Sequence, residues 1–344
     1  MQASVSASTI AMSAPPAEAA RNRRDARNDK LFSWVLKACA LLVLVTLIGA
    51  AASTAWGGRD AFATFGWGFL VSDAWDPGNN VYGALVPVMG TIVTALIALV
   101  IAVPISFGIA LFLTEIAPSW LRGPVGSAIE LLAGIPSIIY GMWGLFIFAP
   151  FVAEHIKPWL MNNLSSEPPD GQVSWLVQHV PWIAKFFSSD YPFFGAGVLT
   201  AGMVLAIMII PFISSVMREV FQTVPTRLKE SAYALGSSTW EVVWDIVMPY
   251  TRSAVIGGVF LGLGRALGET MAVAFVLGNT FKFTPSILET GSSIASTIAN
   301  QFGEAEGLQK SSLMALAFLL FVVTFIVLLI ARLMLRQLSN REGR

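Results

Sequence analysis

Residues 218–252 read REVFQTVPTRLKESAYALGSSTWEVVWDIVMPYTR, a polar stretch between two apolar ones. Pro225 suits the first turn of a helix, and Gly236 suits the left-handed residue that closes one, so a short helix is expected between them. Ser238 and Glu241 have the spacing of a capping box, which starts a second short helix. Trp240, Val243, Trp244 and Val247 recur at i, i+3, i+4 and i+7 and give that second helix one apolar face. Pro249 is expected to stop it. The segment 218–253 therefore reads as a helical hairpin without a core of its own, which must pack on something else.

What flanks the hairpin is apolar. A helix crosses a bilayer with about 20 apolar residues, and the stretches 31–55, 84–113, 124–150, 194–217, 254–278 and 312–335 qualify. Pro87 and Pro104 suggest tilt or a kink in the second, while Pro136 and Pro211 fall in the third and fourth. Such prolines are tolerated only where neighbouring helices or water satisfy the freed carbonyls. The expected fold class is an all-α polytopic membrane protein with six transmembrane helices. Composition agrees: of 344 residues 55% are hydrophobic and 12% charged, with mean hydropathy +0.70, against about a quarter charged in soluble domains. An ordinary soluble enzyme and a disordered regulator are excluded, and without a basic excess no nucleic acid is expected as a partner. The single cysteine, Cys39, cannot form an internal disulfide, and two histidines cannot build a His-rich metal site, so no metal is expected.

The formal charge is zero, from 21 Lys+Arg and 21 Asp+Glu, but the charges are not evenly placed. Residues 1–30, Ala/Ser/Pro-rich and ending in RNRRDARNDK, are expected to form a disordered cytoplasmic tail. The 31–55 span is too long for the apolar region of a signal peptide and is read as a membrane anchor. With both termini in the cytoplasm, fifteen Lys and Arg lie inside and five outside: Arg59, Lys157, Lys185, Lys282 and Lys310. The external segments carry ten acids, including Asp73, Asp76, Glu154 and Glu304. This gives an external loop at 56–83 and a core domain at 84–340, with an external segment at 151–193 and the cytoplasmic loop at 218–253. Trp159, Trp175 and Trp182 in the external segment suit short interfacial helices, or the docking of an extracytoplasmic partner. His155 and His179 are expected to be solvated, and Tyr140 to pack.

The cytoplasmic loop resembles that of bacterial ABC-importer permeases, which carry Glu-Ala-Ala, three residues, Gly, nine residues, Ile, any residue, Leu-Pro. Here the match is Glu230, Ser231, Ala232, Gly236, Ile246, Met248 and Pro249 with every spacing kept. Ser231 for Ala and Met248 for Leu depart mildly. The resemblance implies that the first short helix is a coupling helix seated in a cleft of an ATP-hydrolysing subunit. The plainer reading is an amphipathic interfacial hairpin. No GxxxxGK[ST] occurs in the chain, so ATP and its Mg would be bound by a separate partner chain, with no cofactor here and no catalytic residue expected.

The fifth span reads AVIGGVFLGLGRALGETMAVAFVLG over 254–278. Arg265 lies near its middle, where a bare charge costs about 2.5–3.5 kcal/mol on insertion scales. Glu269, at i+4, is placed to neutralise it in part. Gly258 and Gly262 share their stripe, and Gly257, Gly264 and Gly268 form a second stripe; glycines there allow close helix approach or leave room for a solvated path. The pair is either a structural clamp between subunits or part of an anion route, where a guanidinium suits phosphate or sulfate oxygens. Glu130, near the inner end of the third span, would partner Arg265, line the inner path, or sit at the water interface.

GRALGETMAV at 264–273, ELLAGIPSIIYGMWGLFIFAP at 130–150 and PVMGTIVTALIALVIAVPISFGIALFLTEIAP at 87–118 look like the phosphate-importer permeases of the Pst system. The stretch 141–150 and the long external segment resemble the PstC type more than the PstA-type sister. The likeness runs from about residue 80 to 335 and implies a type I ABC-importer permease in the bacterial inner membrane, forming half of a phosphate path. It implies Arg265 and Glu269 as path residues, and as partners a PstA-type permease, two PstB-type ATPase subunits, a PstS-type phosphate-binding protein and membrane lipid. Rival readings are a permease for molybdate or sulfate, an ATP-independent channel or secondary transporter, and a membrane enzyme, for which no catalytic constellation is found.

Overall fold

The computed structural model of the chain describes residues 16–165, 175–188 and 195–342, and these are mostly helical. Among the described residues, six helices are long and apolar enough to cross a membrane: Asn28–Gly57, Leu85–Ile116, Ser137–Leu164, Val198–Gln222, Thr239–Leu267 and Gly307–Gln337. They are referred to as spans one to six. The chain divides into two units, Met1–Ser53 and Thr54–Arg344. In the first, helix begins at Pro16 and runs without a break into the apolar segment. Residues 16–30, expected as tail, are thus helical, because their Ala, Glu and Arg favour helix and the span supplies a nucleus. Residues 1–15 lie outside the described residues.

In the second unit, spans two and four are its axis. Ala95, Ala98, Ala102, Ser106 and Ala110 recur at helical spacing along span two and are buried. Small side chains let backbones come close. At Gly202 of span four a Cβ would stand 2.5 Å from Ile97 Cγ2, so glycine is required there. The Ser106 hydroxyl donates to the Ile210 carbonyl at 3.1 Å, beside Pro211.

Two expected spans are cut differently. The apolar run 124–150 divides at Gly134–Pro136 into a helix at Ser119–Ala133 and span three, which begins at Ser137. Pro136 disfavours helix at the residue before it, and that makes the boundary. Span three then continues through two π-helical turns to Leu164, so 151–164 of the expected external segment belongs to it. Lys157, expected outside, is buried there with Glu289 within electrostatic reach. Of the rest of that segment, Trp175–His179 and Pro181–Ala184 are short helices, and 166–174 and 189–194 lie outside the described residues.

Span five begins at Thr239, far earlier than expected, and ends at Leu267. Pro249 does not stop it. A π-helical turn at Val243–Val247 precedes the proline, which then sits in the first turn of the following α-helix, where a missing N–H costs little. Beyond Gly268–Thr270 a short helix, Met271–Val276, packs on span three; a Cβ at Gly141 would stand 3.0 Å from Ala272 Cα.

A second core gathers Ala61, Phe69, Tyr82, Ala84, Ile294, Leu313 and Leu316. A small hairpin, β1 (Trp75–Asp76) and β2 (Val81–Tyr82), lies over it. Trp75 stacks on Phe281 and meets Tyr82 edge to face.

Candidate translocation path and coupling loop

Arg265 occupies the last turn of the span-five helix. A cation there faces the negative end of the helix dipole, which lowers the cost of its charge. Its guanidinium carbon stands 5.8 Å from the ring centroid of Phe212, near the middle of span four, a cation–π contact. Tyr140 lies within its electrostatic reach and donates its hydroxyl to the Leu132 carbonyl at 3.0 Å. The side chain is exposed on the flank of this chain.

The expected neutralisation by Glu269 is not observed. The helix ends at Leu267, so Glu269 is not one helical turn above Arg265, and no ion pair joins Arg265 to a carboxylate among the described residues. Glu269 instead accepts from the Ala272 amide at 3.3 Å. That satisfies one of the free N–H groups opening the Met271–Val276 helix. Glu130 does not meet Arg265 either. It pairs with Arg218 of span four, with side chains 54% and 20% exposed, so it sits at a water-reached interface. Gly126 makes room for the pair, since a Cβ there would overlap the Arg218 guanidinium.

The glycine stripes divide by partner. Cβ atoms at Gly258 and Gly262 would stand 3.0 Å from Val216 Cγ1 and 2.6 Å from Ile213, so this stripe is the close approach to span four. Gly264 faces Leu328 of span six at an ordinary 3.6 Å. Gly268, expected as a packing residue, meets only the carbonyls of its own helix and marks the break instead.

In the segment 218–253, the first helix is Thr226–Ala234. It closes as a Schellman motif: Gly236 adopts φ +91°, with Gly236 N donating to Tyr233 O and Ser237 N to Ala232 O. Ser238 and Glu241 form the capping box in both directions. The expected apolar face is split, because the π-helical turn breaks the 3.6-residue period: Val243 and Val247 are buried while Trp240 and Trp244 are exposed. Glu230 and Ser231 are exposed, whereas Ala232 and Ile246 reach the edge of the main core. Leu228, Tyr233, Leu235, Trp240 and Tyr250 leave an apolar surface around the first helix, with Leu235 89% exposed. Lys229 Nζ donates to Glu115 Oε1 at 2.6 Å, at the end of span two. Sequence reading missed Phe212, Arg218, Lys229 and Glu115, because their roles come from partners far along the chain. Among the described residues, no group of three His, Cys, Asp or Glu side chains converges to hold a metal.

The family model for binding-protein-dependent transport system inner membrane components matches residues 104–340. The phosphate transport system permease protein PstC of Xylella fastidiosa (strain 9a5c) is 59% identical over 323 residues, covering 94% of this chain and 95% of the relative. That of Pasteurella multocida (strain Pm70) is 54% identical over 316 residues, covering 92% and 94%. A chain of the crystal structure of a bacterial alginate ABC transporter, in complex with an alginate pentasaccharide-bound periplasmic protein, superposes with a TM-score of 0.53 at 17% identity. It covers 91% of this chain and 97% of that one, and at that identity it shows the fold. The family match runs from the second half of span two through span six and includes the capped loop, and the chain belongs to the inner-membrane components of binding-protein-dependent transport systems.

Proposed function

We propose that this chain is the PstC-type permease subunit of an ATP-driven importer of inorganic phosphate. The PstC relatives support the substrate. The observation that carries the site is Arg265: a guanidinium beside the middle of span four, over Phe212, exposed on the flank of the chain. Such a group matches phosphate oxygens in a dry path. Glu269, turned to the next helix, leaves the guanidinium charge available to an anion. Both termini face the cytoplasm in this reading, supported by the inner excess of Lys and Arg.

The partners are a PstA-type permease completing the path, two PstB-type ATPase subunits holding ATP and Mg, and a PstS-type binding protein delivering phosphate from outside. Glu230, Ser231, Ala232, Gly236, Ile246 and Pro249 form the surface that meets the ATPase, supported by the exposed apolar residues around them. Closure of the ATPases would move the Thr226–Ala234 helix and the spans attached to it.

The test is phosphate uptake by the complete complex in proteoliposomes. Arg265→Ala is expected to abolish uptake while all subunits still co-purify; normal uptake removes Arg265 from the path. Uptake of sulfate or molybdate in preference to phosphate would overturn the substrate.

A further inference from the structure

We propose that Lys229 and Glu115 form the linkage that carries motion of the Thr226–Ala234 helix into span two; this rests on the reading that the helix seats on an ATPase. The helix buries none of its residues. Nine residues with no buried face hold themselves poorly in water. Pro225 and Gly236 fix the ends of the helix, so what ties its body to the bundle decides which part of the bundle follows it. Ala232 touches the core only at its edge. Lys229 does more: its ammonium meets the Glu115 carboxylate at 2.6 Å, with side chains 16% and 6% exposed. In so little water the attraction is much stronger than in a surface pair. Removing either partner would leave the other charge unpaired and poorly reached by water.

Glu115 lies in the π-helical turn Phe112–Ile116 that ends span two. Single π turns frequently sit at functional sites, and this one sets the direction in which Glu115 leaves the helix. From there the path is continuous. Span two packs along span four through its small-residue stripe. Ser106 binds the Ile210 carbonyl, and Phe212, two residues on, carries Arg265. A pull on Lys229 therefore reaches the helix pair that positions the Arg265 guanidinium. These two are positioning residues and touch neither nucleotide nor anion.

The experiment uses the complete complex in proteoliposomes and reads phosphate moved per ATP hydrolysed, for Glu115→Gln, Lys229→Met and the swap Glu115→Lys with Lys229→Glu. Each single change is expected to lower the ratio by about tenfold or more while subunits still co-purify, within the usual range of coupling between sites. The swap is expected to recover it to within about threefold, as paired residues behave in a mutant cycle. Unchanged ratios in both single variants, or a swap no better than the singles, would overturn the linkage. A second measurement leaves the pair intact: spin labels on Ile116→Cys and Arg227→Cys, with Cys39→Ser. Their separation is expected to stay constant between nucleotide-free and ATP-trapped states; a change of about one helical turn, ~5 Å, overturns the proposal. The ratio can be read with whichever oxyanion the wild-type complex carries, so an error in the substrate is distinguishable from an error here.

Discussion

Replacing Gly262 by alanine places the new Cβ 2.6 Å from both Cγ1 and Cδ1 of Ile213. Carbon atoms settle at about 3.5–4.0 Å, so roughly 1 Å must be found. Ile213 is fully buried and cannot swing into lipid or water, so spans four and five must part or strain, at about 1–3 kcal/mol. Gly264→Ala, two residues on, is the matched control: its Cβ would stand 3.6 Å from Leu328 Cδ2, an ordinary contact. Both changes gain roughly the same 1 kcal/mol of helix propensity, which cancels between them. Gly258→Ala, at 3.0 Å from Val216 Cγ1, falls between the two. The expected order of unfolding stability in detergent is Gly264→Ala, then Gly258→Ala, then Gly262→Ala, with about 1–3 kcal/mol between the extremes. Uptake should follow the same order, because Ile213 adjoins Phe212 and a shift of about 1 Å at a positioned group costs up to a hundredfold. Equal stability and uptake for Gly262→Ala and Gly264→Ala would refute the close approach as the reason for the glycine.

Other perturbations separate the remaining sites. Gly236→Ala meets no neighbour but forces φ +91° on a side chain, which costs about 1–2 kcal/mol; co-purification of the ATPase should weaken, with phosphate binding at the outer side unaffected. Gly126→Ala pushes the Arg218 guanidinium off Glu130, and the complex should lose thermal stability that Glu130→Gln in the same background does not lower further. Asp76 accepts from the Asn79 side chain and from the Asn79 and Gly78 amides, which hold its carboxyl below the ordinary 3.8. A depressed carboxyl stabilises the hairpin turn above its unfolded value, and the stabilisation is lost as pH falls through the folded one. Hydrogen exchange at Gly78 and Asn79 should therefore quicken, relative to Asp76→Asn, only below about pH 4.

The caps were readable because they are local. A capping box spans four residues, and a Schellman turn needs only a glycine at one position, so Ser238, Glu241 and Gly236 specified their structures without help from the bundle. Helix ends inside apolar stretches were not readable. Pro136 allows a kink as well as a break, and Glu269–Thr270 is too short to announce a loop; the helix that follows the second break, Met271–Val276, packs on span three. The apolar face of 240–247 was misread for a related reason: a π-helical turn shifts every later side chain, and no periodicity computed at 3.6 residues anticipates it.

Sequence alone determined six apolar stretches, the uneven placement of charge between them, and the loop whose spacing resembles the importer permeases, because length, charge and short-range hydrogen bonds are one-dimensional properties. Tertiary structure decided which charges meet. Glu130 and Arg218 are 88 residues apart and Glu115 and Lys229 are 114 apart, while Arg265 and Glu269, four apart, do not pair among the described residues. An ion pair depends on where two helices cross and where each one ends. Those follow from side-chain packing between segments, which sequence spacing within one segment does not contain.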